Sequence, residues 1–380
     1  MLYISLNSVI YLYNCYIIIY IPTYDIMEIL YMMTKTFQLP REIAIGKHVY
    51  GEIPNIWNNL HLGQRAGIVV SNTSKRVAGN DIEKILQRVG HSVTMIETNN
   101  SDIDSLDTVN NIVNDVGIDY LVGIGGGKII DVSKLSAYQN QIPFISIPTI
   151  AAHDGIVSSR ASIIEDGKNV SYTVDTPVAM LANTNIIASA PSRYLIAGCG
   201  DIMSNRTAIL DWKMANRLHN EKISNSAIAI SEMSSQTIEE SADSINPMME
   251  SSVKLVIKSL VSSSLSMCIA GTSCPASGSE HMFSHALDQI AEKRALHGEQ
   301  CAMGSILSMY FHGKDWQSHK KILEKIGVPV TLSDIGLNRE DVINALMIAH
   351  TIKPERHTIF DVGITEEVAE KAIRITKIDK

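Results

Sequence analysis

Beyond residue 37 the chain alternates short apolar runs with stretches whose apolar residues recur every three or four positions. Residues 37–46 read as extended. The run 66–70 (AGIVV) reads as a buried strand. Val77, Ile82, Ile85, Leu86 and Val89 then share one face of a helix over 78–89. The same alternation continues with a strand at 92–97, a helix at 104–116, a strand at 120–124, a helix at 128–138 and a strand at 144–147. Strands separated by helices of this length imply βαβ units and a parallel, Rossmann-like sheet covered on both faces. After Asp154 the texture changes. Residues 161–164 and 170–174 flank Glu165-Asp166-Gly167-Lys168, a hairpin signal, and 178–181 is extended. From Pro191 onward helical spacing dominates. The pattern predicts an α/β domain over 37–190, an all-helical domain over 191–380, and a ligand site in the cleft between them.

The first 36 residues do not share this texture. Seven of the thirteen tyrosines (Tyr3, Tyr11, Tyr13, Tyr16, Tyr20, Tyr24 and Tyr31) fall there, with the run Ile17-Ile18-Ile19. Residues 9–21 are apolar enough to suggest a membrane anchor, but Asn14 interrupts the run and no Lys or Arg precedes it. The composition is what AT-rich DNA encodes, so 1–36 is expected to be a mis-assigned start or a disordered extension. Met27, Met32 and Met33 are candidate true starts.

Composition narrows the function classes. Apolar residues make up 45% and charged residues 19%, which excludes a disordered chain. Forty acidic against 32 basic residues give a net charge of −8 and no dense basic run, so nucleic acid is not an expected partner. Five cysteines without a CxxC pair fit a reducing cytoplasm better than a disulfide scaffold.

Three clusters carry chemistry. Gly125, Gly126, Gly127 and Lys128 follow a strand and open a helix, where glycines let a pyrophosphate approach free backbone N–H groups. The spacing is neither a GxGxxG fingerprint nor a P-loop, and a tight turn is the bland alternative. Glu97, ending the strand 92–97, could meet a ribose or simply be solvated. Second, Pro148-Thr149-Ile150-Ala151-Ala152-His153-Asp154-Gly155, with Ser158 beyond, forms a loop of small residues at the same end of the sheet. Third come Asp201, His281, His285 and His297. A carboxylate and two imidazoles make a three-ligand divalent-metal site with an open fourth position, the catalytic form. Spacing alone would put the i, i+4 pair His281 and His285 together on the metal.

The set GGGK with Asp131, PT-x-AA-H-D-G, GCGD, GSEH-xxx-SH-x-LD and HGEQ resembles the archaeal sn-glycerol-1-phosphate dehydrogenases. That family lies within the larger group of iron-containing alcohol dehydrogenases, glycerol dehydrogenases and dehydroquinate synthases. The resemblance spans roughly 37–375 and implies NAD(P)H-dependent reduction of dihydroxyacetone phosphate to sn-glycerol 1-phosphate for archaeal phospholipid biosynthesis. It implies one zinc ion on Asp201, His281 and His297, and substrate contacts at Asp154, Asp201 and His285. The cofactor contacts it implies are Gly127, Lys128, Ile129, Ile130, Asp131, Thr149, Ile150, Ala151, Ala152 and Ser158, to which the glycine turn itself adds Gly125 and Gly126. His285 thereby moves from metal to substrate. Arg160 and Lys134 are the candidates for the substrate phosphate, with a solvated side chain the equal alternative for both. A cytoplasmic homo-oligomer without stable membrane insertion is expected. The competing readings are a glycerol dehydrogenase, a dehydroquinate synthase-like enzyme, and a nucleotide-binding protein without catalysis.

Overall fold

A computed structural model describes residues 36–291 and 295–380. The readings made for residues 1–35 lie outside the described residues.

Six strands form one parallel sheet: β1 (Glu42–Gly46), β2 (Arg65–Val70), β3 (Ser92–Glu97), β4 (Tyr120–Gly125), β5 (Phe144–Pro148) and, after a hairpin of β6 (Arg160–Glu165) and β7 (Lys168–Thr173), β8 (Ala179–Asn183). The order across the sheet is β1-β8-β5-β4-β2-β3. Chain order reverses between β2 and β4. The crossover from β2 runs outward to β3, and the one from β4 runs the other way to β5. Ligands of open parallel sheets bind at such a reversal, outside the carboxyl ends of the strands.

Alternating residues of each strand face opposite layers. Ile68 and Val70 pack with Ile53, Trp57, Ile82 and Leu86 on one face. Val69 points to the other, with Leu106, Val109, Ile129 and Ile130. The helices on these faces are α1 (Ile53–Leu60), α2 (Asn80–Arg88), α3 (Ile103–Val116) and α4 (Gly127–Gln139). The sequence reading assigned no element to α1, whose eight residues include Pro54 in the first turn. It also placed Val77 and Val89 on the buried face of the second helix, yet they are 44% and 41% exposed. A π-helical turn at Lys75–Gly79 widens the spiral and turns Ala78 inward instead.

After the short α5 (Thr184–Ser189) the described residues are helical: α6 (Ser192–His219), α7 (Asn225–Glu240), α8 (Glu250–Ala270), α9 (Ser279–Ile290), α10 (His297–Phe311), α11 (Trp316–Ile326), α12 (Leu332–Ile335), α13 (Arg339–Ile352) and α14 (Glu366–Thr376). α8 is long and apolar enough to cross a membrane, but its Val253, Val256, Ile257 and Leu260 lie fully inside the helical core. The parallel α/β region followed by helices is the fold class read from the sequence.

Candidate active site

Asp201 sits on the third turn of α6 after Gly198 and Gly200. Those glycines let neighbouring backbone come close. A Cβ at Gly298, the second residue of α10, would lie only 1.9 Å from the Ala197 carbonyl oxygen. This tight crossing brings His297 to Asp201. His281 reaches the same point from the first turn of α9. Asp201 Oδ1 stands 3.6 Å from His297 Nε2 and 3.9 Å from His281 Nε2. It is buried and accepts no hydrogen bond. Asp201, His281, His297 and Cys301 each bring one candidate ligand atom within 4.8 Å of the others; His285 stands outside this group.

Surrounding groups fix these side chains. Glu280 Oε1 lies 2.9 Å from His281 Nδ1, so an Nδ1–H donated to it leaves the Nε2 lone pair facing Asp201. Glu280 also accepts from Thr207 Oγ1 at 2.7 Å and from the Gly278 amide at 2.6 Å. Ser284 Oγ approaches His297 Nδ1 at 3.2 Å and donates to Gln300 Oε1 at 2.6 Å. Glu299 binds Arg193 through two bonds of 2.6 and 2.7 Å, tying α10 to α6. Burial pushes the Asp201 carboxyl up to about 7 and holds both His281 and His285 well below the ordinary imidazole range. His285 Nδ1 is buried without a hydrogen-bond partner, and its ring stands 6.3 Å from that of His281.

The loop after β5 joins this cluster. The Asp154 amide donates to Asp201 Oδ2 at 2.9 Å, and Asp154 Oδ2 accepts from Ser263 Oγ at 2.8 Å. Burial, with the Asp201 charge beside it, raises the Asp154 carboxyl to about 7. On the sheet side, Gly126 caps α4 without any side-chain cap, leaving its amino end available to an anion. A Cβ at Gly127 would lie 2.1 Å from His153 Nε2, so the glycine loop abuts the histidine preceding Asp154. The His153 ring is 6.4 Å from that of His297.

Comparison with known proteins decides the family. Residues 44–191 match the family model described as iron-containing alcohol dehydrogenase. The chain is 48% identical over 344 residues to a protein of Methanosarcina acetivorans named glycerol-1-phosphate dehydrogenase (NAD(P)+), covering 90% of this chain and 97% of that one. A Thermococcus sibiricus protein of the same name is 43% identical over 348 residues, covering 91% and 99%. This chain belongs to the glycerol-1-phosphate dehydrogenase family. In fold it is similar to a probable glycerol dehydrogenase from Sinorhizobium meliloti, with a TM-score of 0.72 at 20% identity, covering 90% of this chain and 98% of that one. NADH-dependent butanol dehydrogenase A from Thermotoga maritima gives 0.70 at 15%, covering 92% and 99%. The family read from the motifs is thereby borne out.

Within the glycerol-1-phosphate dehydrogenase fold, several expected site residues take more limited positions. The side chains of Ile129 and Ile130 are packed in the core beneath α4. Their amides bond the Gly126 carbonyl at 3.0 and 3.1 Å, which leaves the N–H groups of Gly127 and Lys128 at the helix entrance. Asp131, Thr149, Ala151 and Ser158 are buried, while Ile150 and Ala152 are half-buried along the loop. Glu97 ends β3 ion-paired with Lys75.

Lys134 is a correction. It is 1% exposed, and its ammonium donates to the carbonyls of Gly155 at 2.6 Å and Arg160 at 2.7 Å, with Asp131 Oδ1 3.7 Å away. It ties two loops together and has no free donor directed at a substrate phosphate. Three neighbours escaped the sequence reading. Cys301 lies one helical turn after His297, a spacing that could have flagged it; burial raises its thiol well above the ordinary range. Lys353 and Arg356 follow α13 some seventy residues beyond α9, and no motif marks them.

Proposed function

We propose that this chain reduces dihydroxyacetone phosphate to sn-glycerol 1-phosphate with NADH or NADPH, supplying the glycerol backbone of archaeal phospholipids. The relatives that carry this name match at 43–48% identity over about nine-tenths of the chain. The glycerol dehydrogenase likeness is one of fold at 20% identity, which gives that alternative no comparable support.

The observation that carries the chemistry is the orphaned Asp201 oxygen facing two imidazole nitrogens. A buried carboxylate oxygen with no donor is costly unless a cation completes it. The donor set therefore fits a divalent ion held by Asp201, His281 and His297. Two imidazoles and one carboxylate favour zinc. Cys301, a buried thiol held protonated, stays off the ion in this reading. When bound, the ion supplies Lewis-acid polarisation of the substrate carbonyl.

The remaining work falls to the chain's own groups. Glu280 fixes the tautomer of His281. His285, kept neutral by burial, relays a proton: one ring nitrogen gives its N–H to the substrate oxygen as hydride arrives, and the other takes a replacement proton from water. Asp154, held by Ser263 and the Asp201 contact, binds a substrate hydroxyl. The open amino end of α4 and the 149–152 loop receive the dinucleotide. The division of labour follows the domains: 37–190 binds the cofactor and 191–380 the metal. A cytoplasmic homo-oligomer that does not insert into membranes completes the proposal.

Steady-state rates test it. Dihydroxyacetone phosphate should be reduced with either nicotinamide cofactor, and far faster than dihydroxyacetone. A preference for dihydroxyacetone or glycerol would replace this reading with a glycerol dehydrogenase.

A further inference from the structure

Lys134 is engaged elsewhere, and a different group of cations lies around the start of α9. Arg356 follows α13 in a turn closed by its amide on the Lys353 carbonyl at 2.9 Å. Its guanidinium donates to the Ser277 carbonyl at 2.7 Å and to Ser273 Oγ at 2.9 Å. Ser277 immediately precedes Gly278, the cap of α9, so Arg356 is anchored to the start of the helix that carries His281 and His285. Arg160 opens β6. Its guanidinium donates to Thr173 Oγ1 at 2.6 Å, and its carbonyl is held by the buried Lys134. Its hairpin is tied to α9 through Asn169 Nδ2 and Asp288 Oδ2 at 2.5 Å. Lys353 ends α13, the helix packed against α9, and its carbonyl accepts the Arg356 amide, so it stands in the same turn as Arg356.

Other arginines and lysines of this region have acids. Arg193 pairs with Glu299, Arg206 with Glu239 and Lys213 with Glu232. Among the described residues, no carboxylate lies within ion-pair distance of Arg160, Lys353 or Arg356. Three half-buried cations, none in an ion pair and with only the exposed Glu355 as a nearby acid on Lys353, repel one another, an arrangement that a dianionic ligand relieves.

We propose that Arg160, Lys353 and Arg356 form the cradle for the substrate's phosphate monoester. This rests on the proposed reduction of a phosphorylated ketone. Arg356 and Arg160, each fixed by a neutral acceptor, present guanidinium donors suited to phosphate oxygens, and Lys353 adds a compact charge. The ketone end then faces His285 and Asp201 while the phosphate lies on the α13 side. The electrostatics agree. Burial first, then the charges of Arg356 and Arg160, bring Lys353 down to about 8, and burial with Arg356 lowers Arg160.

The test uses the metal-loaded enzyme and the variants Lys353→Gln, Arg160→Gln and Lys353→Arg. Two readouts are taken: the ratio of kcat/KM for dihydroxyacetone phosphate over dihydroxyacetone, and the rise in melting temperature produced by inorganic phosphate. Losing a hydrogen bond to a charged group should lower that ratio roughly ten- to hundredfold in either Gln variant. The phosphate-induced rise should shrink with it, and Lys353→Arg should restore much of both. A merely structural role would depress both substrates together and leave the ratio and the phosphate response unchanged. That result in both Gln variants would overturn the cradle. A wild-type enzyme that does not prefer the phosphorylated ketone would instead overturn the function on which it rests.

Discussion

The two sides of the site are built differently. On the sheet side the anion-receiving feature is backbone: the uncapped start of α4 after Gly125-Gly126-Gly127, at the carboxyl ends of parallel strands. On the helical side the fitting ligand is a cation, and its donors are side chains, Asp201, His281 and His297, each oriented by another buried polar group. The first needs only a strand, a turn without Cβ atoms and a helix. The second needs two helices packed backbone against backbone, because Asp201 and His297 face each other only if α6 and α10 touch. Disturbing the crossing should therefore harm the site more than disturbing the loop.

The largest expected effect is at Gly298. A Cβ there meets the Ala197 carbonyl oxygen at 1.9 Å, and main chain cannot swing aside. Gly298→Ala should cost about 3 kcal/mol, the upper end for forced overpacking, and part His297 from Asp201. Thermal unfolding and elemental analysis should show lower stability and depleted metal together.

The next effect concerns pH. The helical side also rests on a buried neutral imidazole, His319, whose Nε2 lies 2.7 Å from Ser305 Oγ. Burial depresses it to about 3 from an unperturbed value near 6.5. The unfolded chain thus binds a proton that the folded chain refuses. The contribution of His319 to stability is intact above pH 6.5 and is lost as pH falls from 6.5 toward 3. At pH 4.5 this amounts to on the order of 2 kcal/mol. In urea titrations at pH 7 and 4.5, His319→Gln should lose less stability between the two than the wild type. Equal losses would remove His319 from the account.

The smallest effect sharpens the contrast. A Cβ at Gly126 would lie 2.8 Å from Ile150 Cδ1, the far end of a flexible side chain. Gly126→Ala should weaken NADH binding by less than roughly tenfold, about 1 kcal/mol, with metal content unchanged. Damage equal to that of Gly298→Ala, by fluorescence titration and metal assay, would erase the distinction between the two sides.

The same distinction explains what was legible in the sequence. β2, β4 and β5 stand out as apolar runs because both faces of a central parallel strand are buried, and the glycines after β4 mark their own turn. The phase of the helix after β2 was misread because a π turn changes residue spacing without changing composition. On the helical side, Asp201 and His281 lie eighty residues apart, and periodicity cannot say that two helices cross there. Spacing favoured a different partner, pairing His281 with His285 on one face. The motifs' family likeness separated them, and the geometry groups His281 with Asp201 and His297. Lys353 and Arg356 were invisible for the same reason: their place is set by α13 packing on α9, not by neighbours in sequence.

The most direct test is the metal content and kcat of His281→Ala and His285→Ala, measured side by side. His281→Ala should lose the ion and activity together. His285→Ala should keep one divalent ion per chain while kcat falls on the order of 10²–10⁴, the usual cost of a lost proton-transfer group. Metal lost from His285→Ala and retained by His281→Ala would contradict the assignment and reverse the roles of the two histidines.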